Sequence, residues 1–204
     1  MTPDVPNRAE RSARHQRTTH ETSVEVRLVL DGSGRADVAT DIGFFDHMLE
    51  ILTLHAGLDL FVRAKGDLRV DFHHTVEDVG LVLGGCLLEA LGNKTGIHRF
   101  GHAYVPLDEA LSRVVVDLSG RPFLHWKVRF GSDRVGDFPT EVLEDFFRAF
   151  SDRARITLHV ENLYGRNSHH IIETVFKGFA RALRQAVARG AGGDVPSTKG
   201  TLEG

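Results

Sequence analysis

Apolar residues spaced four positions apart mark two stretches of the chain, at residues 75–91 and 170–189. This spacing forms one apolar stripe along a helix, so each stretch is predicted to be a long amphipathic helix. The two stripes match each other at an offset of 96 positions. The matching residues are Val79, Leu83, Leu87 and Leu91 in the first stretch and Val175, Phe179, Leu183 and Val187 in the second.

The repeat continues upstream of these helices at an offset of 98 positions. The strand-like alternation of Leu58, Leu60 and Val62 returns at that offset in the second half of the chain. The difference between the two offsets falls in connections, at residues 63–72 and 161–168, where changes of length are tolerated. The chain is therefore predicted to contain one structural unit twice.

Each half is predicted to run strand, strand, short helix, strand, connection and long helix. This order predicts an α/β sandwich of two similar halves, with sheets on one side and helices on the other. We assign residues 17–95 to the first half and 96–190 to the second, with a flexible polar arm at 1–16 and a C-terminal loop at 191–204. The other predicted elements are strands at 23–31, 35–40, 110–118 and 122–130 and short helices at 44–55 and 140–153.

Composition narrows the class of protein without identifying it. A net charge of −3 over 204 residues gives no sign of binding to nucleic acid. The single cysteine, Cys86, leaves no partner for an internal disulfide and fits a reducing compartment. The N-terminal residues lack the apolar stretch of a secretory signal, and no apolar run approaches the roughly 20 residues of a membrane helix. A cytoplasmic location is expected.

Histidine is the residue type that points to chemistry. Twelve are present, and two adjacent pairs each precede a predicted long helix, followed by a glutamate at the same distance. Residues three and four positions apart converge on one side of a helix start. Imidazole and carboxylate without thiolate suit manganese, iron or zinc, and the spacing is not that of zinc peptidases. The candidate ligands are His73, His74 and Glu77 in the first half and His169, His170 and Glu173 in the second.

The repeat supplies two more candidate ligands. His47 maps onto Asp145 at the 98-residue offset, and both lie on a predicted short helix. Eight candidates are enough for two sites with four protein ligands each, which leaves room at an octahedral metal for a substrate. The seven remaining histidines receive no metal role.

Five stretches resemble one known enzyme family, the imidazoleglycerol-phosphate dehydratases, and the resemblance runs from about residue 17 to residue 202. It implies a duplicated α/β unit in which each half is a four-stranded sheet packed on helices, similar to domain 2 of ribosomal protein S5. It also implies a homo-oligomer of twenty-four subunits with cubic symmetry and two manganese ions per subunit near subunit contacts. The stretches are FFDHML at 44–49, DFHHTVED at 71–78, LDEALSR at 107–113, DLSGRP at 117–122 and NSHHIIE at 167–173.

The resemblance also divides the ligands between two metals. The family pattern has histidine at position 145, where this chain has Asp145. Aspartate is still a competent oxygen ligand for manganese, either directly or through a bridging water. One metal would be held by His47, His74, His169 and Glu173, and the other by His73, Glu77, Asp145 and His170.

The reaction implied by the resemblance removes water from imidazoleglycerol phosphate to give imidazoleacetol phosphate in histidine biosynthesis. Loss of the ring proton from a metal-bound imidazole would let the imidazolate expel the hydroxyl through a diazafulvene-like intermediate. Glu21 takes the role of substrate-binding acid/base. The substrate phosphate needs cationic and hydroxyl partners. The resemblance assigns them to Arg99, Arg121, Ser197 and Lys199.

Two other classes of function fit the metal ligands alone. A dinuclear metallohydrolase acting on a small phosphorylated substrate uses similar clusters of histidine and carboxylate, and an assay of water loss against hydrolysis separates it from a dehydratase. A non-enzymatic metal-storing shell has no need of Glu21 or of a phosphate site. The arginine-bearing segments and the Ser197–Lys199 tail favour a small phosphorylated substrate.

Overall fold

Two four-stranded sheets enclose four helices in the computed structural model, which describes residues 10–190 and 193–202. The first half contains β1 (Ser12–Thr18), β2 (Thr22–Val29), β3 (Ala36–Ala39), α1 (Gly43–Ala56), β4 (Asp59–Gly66) and α2 (His73–Leu91). The second half contains β5 (Phe100–Leu107), β6 (Ala110–Asp117), β7 (Phe123–Lys127), β8 (Arg134–Val135), β9 (Phe138–Pro139), α3 (Val142–Ala154), β10 (Thr157–Tyr164) and α4 (Ser168–Val187).

The predicted duplication is confirmed by the sheet topology. The first sheet has the order β1-β2-β4-β3 and the second has the equivalent order β5-β6-β10-β7. In each sheet the first two pairings are antiparallel and the last is parallel. The second half adds only the small β8–β9 hairpin before its short helix.

The helical sides of the two halves face each other. Helix α2 packs on the first sheet and on α3, and helix α4 packs on the second sheet and on α1. Buried residues of both halves form one hydrophobic cluster, in which the rings of Phe146, Phe147 and Phe176 are in mutual contact. Each short helix thus packs against the long helix of the other half.

One strand at the edge of each sheet, β1 and β5, is absent from the predicted elements. Residues 12–16 were assigned to a flexible arm, but they belong to β1, which buries only Ala13 and therefore has little apolar signal. The first half begins at least five residues earlier than predicted, and residues 1–9 lie outside the described part of the chain. Strand β5 turns Gly101, Ala103 and Val105 inward, because α4 lies too close for larger side chains. A Cβ atom on Gly101 would stand 1.8 Å from the carbonyl oxygen of Ala182.

The long helices begin earlier than predicted, which changes the position of the histidine pairs. Helix α2 begins at His73 and α4 at Ser168, each two residues earlier than predicted, so both pairs lie entirely within the first helical turn. The side chain of Asn167 caps α4 by accepting a hydrogen bond from the backbone N–H of His169. The strand predicted at 122–130 is shorter, at Phe123–Lys127.

Candidate active site

One group of candidate ligands forms where α1 meets α4. His169 and Glu173 lie one turn apart on α4, and His47 reaches them from α1. The ligand atoms of these three residues all lie within 4.8 Å of one another. Glu173 Oε1 is 2.9 Å from His169 Nε2 and 3.8 Å from His47 Nε2. We call His47, His169 and Glu173 the α4 triad.

A second group forms at the equivalent contact of α2 with α3. His73 Nδ1 is 3.3 Å from Asp145 Oδ2, and His73 Nε2 is 3.9 Å from Glu77 Oε2. The three side chains are between 36% and 45% exposed, so they are accessible to an ion or a second molecule. We call His73, Glu77 and Asp145 the α2 triad. Asp145, at the position where the family pattern has histidine, therefore lies beside the predicted ligands.

The other two candidate ligands are held elsewhere in the chain. His74 Nδ1 is 3.1 Å from Asp67 Oδ2, in the connection that precedes α2. His170 Nδ1 is 2.8 Å from Glu109 Oε2, in the turn between β5 and β6. Within the described residues, His74 is not gathered into the α4 triad, and His170 is not gathered into the α2 triad.

Neighbouring carboxylates shift the pKa values of His74 and His170. The hydrogen bond with Glu109 raises the pKa of His170, and the hydrogen bond with Asp67 raises the pKa of His74. The same contact with His170, with the backbone N–H groups of Asn167 and Arg166, lowers the pKa of Glu109 to about 2. Glu109 is therefore a carboxylate at any physiological pH.

Glu173 is the carboxylate of the α4 triad and its most enclosed member. Burial acts to raise the pKa of Glu173, but its hydrogen bonds with Lys177 and His169 outweigh burial and lower it. The side chain of Glu173 is 14% exposed. A charged oxygen is thus available where the two imidazoles of the α4 triad converge.

Glu21 lies beside His74, in the tight turn between β1 and β2. Its Oε2 atom is 3.8 Å from His74 Nδ1. The hydroxyl of Thr19 accepts hydrogen bonds from the backbone N–H groups of Glu21 and Thr22, which fixes the turn. The hydroxyl of Thr22 donates to the buried carboxylate of Asp78, which ties the turn to α2.

The four residues expected to contact phosphate line one cavity. This cavity of about 840 Å³ lies between the start of β5, the β6–β7 turn and the C-terminal segment. Arg99 donates to the carboxylate of Asp117 at 2.7 Å and to the carbonyl oxygen of Pro196 at 3.0 Å. The buried Lys94 donates to the carbonyl oxygens of Leu118 and Leu202 and so holds the same segment. We call this the phosphate cavity, and its predicted phosphate contacts are Arg99, Arg121, Ser197 and Lys199.

The phosphate cavity and the triads lie at opposite ends of the molecule. The backbone N–H of Arg99 donates to the carbonyl oxygen of Ala186, near the end of α4. His170 lies in the first turn of that helix, and at about 1.5 Å per residue the two points are about 24 Å apart. A small phosphorylated molecule cannot contact both places within one chain.

Comparison with known proteins decides the family. The sequence profile described as imidazoleglycerol-phosphate dehydratase matches residues 40–183, which include both triads. The chain belongs to the imidazoleglycerol-phosphate dehydratase family. The dehydratase of Magnetococcus marinus is 58% identical over 94% of this chain and 98% of its own length. That of Nitrobacter hamburgensis is 57% identical over 95% of this chain and its own full length.

Solved dehydratase structures share the fold. A crystal structure of the Staphylococcus aureus dehydratase has a TM-score of 0.80 and 41% sequence identity, covering 87% of this chain and 99% of the other. The Pyrococcus furiosus dehydratase, crystallised in complex with (S)-C348, has a TM-score of 0.79 and 36% identity, covering 92% of this chain and 99% of the other.

Two carboxylates at the site were missed by the sequence analysis. In the sequence, Glu109 is marked only as part of the stretch LDEALSR at 107–113, and no pattern marks Asp67. Asp67 lies in the connection where the two repeats differ in length, so the repeat gives it no counterpart. Neither residue lies near its histidine in sequence, at separations of 7 and 61 positions, and only the fold shows the contacts.

Proposed function

We propose that this protein removes water from imidazoleglycerol phosphate to give imidazoleacetol phosphate, a step of histidine biosynthesis. The observation that carries the proposal is the meeting of both repeats at the α4 triad, where two imidazoles and a carboxylate converge. The family membership supports the same reaction. The phosphate cavity supplies the cationic groups that such a substrate needs.

We further propose that each chain carries two manganese ions. The donor sets fit this metal, because both triads combine imidazole nitrogen with carboxylate oxygen. The single cysteine, Cys86, is buried and belongs to neither triad. The α4 triad with one further histidine would hold one ion, and the α2 triad with another would hold the second. A bound divalent metal would supply Lewis acidity toward the imidazole ring of the substrate.

The complete site is proposed to form between subunits. His74 and His170 point into neither triad of their own chain, and the phosphate cavity is about 24 Å from the histidine pair on α4. A neighbouring copy of the chain could supply both the fourth histidine of each triad and the phosphate contacts. A closed homo-oligomer of cubic symmetry, with twenty-four subunits, provides such contacts at every site.

Other residues of the chain are assigned to phosphate binding, to positioning of the C-terminal segment and to proton transfer. Arg121, Ser197 and Lys199 bind the phosphate by charge and hydrogen bonds. Arg99 is held by Asp117 and fixes the segment that carries Ser197 and Lys199 through its bond to Pro196. Glu21 moves a proton on the substrate carbon skeleton as a general acid/base.

A direct assay tests the proposed reaction. Manganese-loaded protein is incubated with imidazoleglycerol phosphate, and the product is analysed by mass spectrometry. We expect a loss of one water with the phosphate ester intact. Release of inorganic phosphate would instead identify a metallohydrolase, and an unchanged substrate would contradict both enzymes.

Mixed oligomers test whether each site draws on two subunits. We expect Arg121→Ala and Glu21→Gln oligomers to be weakly active or inactive, and co-assembly of the two variants to restore activity. If the phosphate contacts and Glu21 come from different chains, random mixing gives about a quarter of the sites an intact set. The measurement is turnover at low substrate concentration after co-expression.

The control is a chain that carries both substitutions, co-assembled with Glu21→Gln. This mixture contains no intact Glu21, so it should show no recovery. Activity of the first mixture that does not exceed the mean of its parents would contradict the proposal, because it would show that Glu21 and Arg121 of a site come from the same subunit.

Replacement of Asp145 tests the second metal. Wild-type protein loaded with manganese should contain close to two ions per chain by elemental analysis. Asp145→Ala should lose one of them, because the α2 triad loses its contact to His73. Asp145→His should keep both, since imidazole also suits this metal.

The neighbouring residue provides the control for Asp145. Glu144 pairs with Arg148 on the same helix and contacts no candidate ligand, so Glu144→Ala should retain both ions. Two ions and full activity in Asp145→Ala would make Asp145 a bystander. A wild-type content near one ion per chain would contradict the two-site proposal.

A cytoplasmic location is part of the same proposal. In the part of the chain that the structure describes, no helix has both the length and the apolar character to cross a membrane. The single cysteine is buried and unpaired, as suits a reducing compartment.

A further inference from the structure

The β1–β2 turn of the first sheet and the β5–β6 turn of the second are equivalent. Thr18 pairs with Ser23 across the first turn, and Pro106 pairs with Leu111 across the second, each one position outside the tight turn. Both turns therefore have the same length and register. Glu21 and Glu109 occupy the same place, one residue before β2 and β6 respectively.

These equivalent glutamates make different contacts with equivalent histidines. Glu109 is hydrogen-bonded to His170 Nδ1 at 2.8 Å. Its other oxygen accepts the backbone N–H groups of Arg166 at 3.0 Å and Asn167 at 2.7 Å, so the carboxylate is fully engaged. Glu21 is 3.8 Å from His74 Nδ1, beyond hydrogen-bond distance, and its side chain is 57% exposed.

In the first half, another carboxylate takes the place next to the imidazole. Both oxygens of Asp67 lie within hydrogen-bond distance of His74 Nδ1, at 3.1 and 3.2 Å. The corresponding connection of the second half, residues 165–167, contains Gly165, Arg166 and Asn167, none of which is acidic. The two halves thus place a carboxylate on the same ring nitrogen from different elements of the fold.

Both halves place a carboxylate on the histidine Nδ1 atom although the carboxylates come from different elements, which indicates that the two histidines need this contact. A histidine that binds a metal through Nε2 usually donates its Nδ1 proton to a carboxylate, which fixes both the ring orientation and the tautomer. His74 and His170 are the two candidate ligands that stand apart from the triads, and both have this arrangement.

We propose that Asp67 and Glu109 are positioning residues that engage Nδ1 of His74 and His170, so that Nε2 of each ring is the atom that binds a metal, and that Asp67 thereby leaves Glu21 available for proton transfer. This inference rests on the proposed function and deepens it. The duplicated turn carries a supporting carboxylate in one half and a catalytic one in the other.

Metal titration of the assembled protein tests the inference without using activity. Glu109→Gln and Asp67→Asn should each weaken manganese binding by about 10- to 100-fold. The effect should be larger for Glu109→Gln. Its amide oxygen must serve the two backbone N–H groups, which turns the NH₂ group toward His170 Nδ1 and moves the ring proton to Nε2.

Two further variants make the comparison specific. Glu21→Gln should bind manganese as the wild type does, because Glu21 supports no ligand in this scheme. Glu89→Gln removes a carboxylate that lies 2.7 Å from His15 Nε2, outside the site, and should also bind normally. If Glu109→Gln fails to assemble, which size-exclusion chromatography shows, Asp67→Asn carries the test through its own contact to His74.

The outcomes separate this inference from the proposed reaction. Manganese affinity in Asp67→Asn and Glu109→Gln equal to that of Glu89→Gln would overturn the inference, even if the wild type dehydrates its substrate. Weaker binding in Glu21→Gln would reverse the division of roles between Glu21 and Asp67. A wild type that binds manganese but does not dehydrate the substrate would overturn the proposed reaction and leave the metal comparison valid.

Discussion

Replacing Glu21 by glutamine should lower kcat about 10²- to 10⁴-fold, the usual contribution of a general acid/base. The amide keeps the shape of the side chain but neither accepts nor donates the proton that the reaction moves. The turn should persist, because it is held by Thr19 and by the bond from Thr22 to Asp78, neither of which involves the Glu21 carboxylate. Steady-state kinetics on protein of known metal content measures the effect.

A glutamate on the following strand provides the control. Glu25 lies on β2 and pairs with Arg14 at 2.6 Å, away from both triads. Glu25→Gln should therefore keep full activity. Loss of metal in Glu21→Gln would make Glu21 a ligand or a ligand support, and near-normal kcat would require another residue to move the proton.

Replacing Gly101 by alanine should destabilise the fold severely. The added Cβ atom would lie 1.8 Å from the carbonyl oxygen of Ala182 and 3.0 Å from the backbone nitrogen of Ala186, so α4 would have to move away from β5. Overpacking of this kind costs about 1–3 kcal/mol or more, and backbone is the hardest neighbour to displace. In a chain of this size, 3 kcal/mol corresponds to a decrease in Tm of roughly 6–12 °C.

Thermal unfolding followed by circular dichroism measures the change, with Gly43→Ala as the matched control. A Cβ atom on Gly43 meets nothing within 4 Å, and the residue is the first of α1. Alanine there should leave Tm unchanged or raise it slightly, because alanine favours the helical conformation. Equal Tm values in the two variants would contradict the close packing of α4 on β5.

The same packing explains which elements the sequence could predict. Helices α2 and α4 have strong four-residue periodicity because each buries a full face against a sheet and another helix. The edge strands β1 and β5 were missed because β1 buries only Ala13, and β5 buries Val105 beside the small residues Gly101 and Ala103. Hydrophobic periodicity reports repeated burial of large apolar side chains, and neither strand has such a repeat.

The site was predictable as a set of candidate ligands but not as an arrangement. Short-range spacing identified the histidine pairs with Glu77 and Glu173, and the repeat added His47 and Asp145. The separation of the ligands into two triads follows from the pairing of α1 with α4 and of α2 with α3, which no local pattern encodes. The carboxylates beside His74 and His170 come from a connection and from a strand turn, so only the fold shows their contacts.

Each triad combines a short helix of one half with a long helix of the other, and this has a consequence for the history of the chain. A single ancestral half could have assembled neither triad alone, since His47 and its partners Glu173 and His169 belong to different repeats. Two identical copies would have formed two identical sites by pairing. Within one polypeptide the two copies can differ, so that the position of His47 in the first half is Asp145 in the second, and Glu109 contacts His170 at 2.8 Å whereas Glu21 lies 3.8 Å from His74.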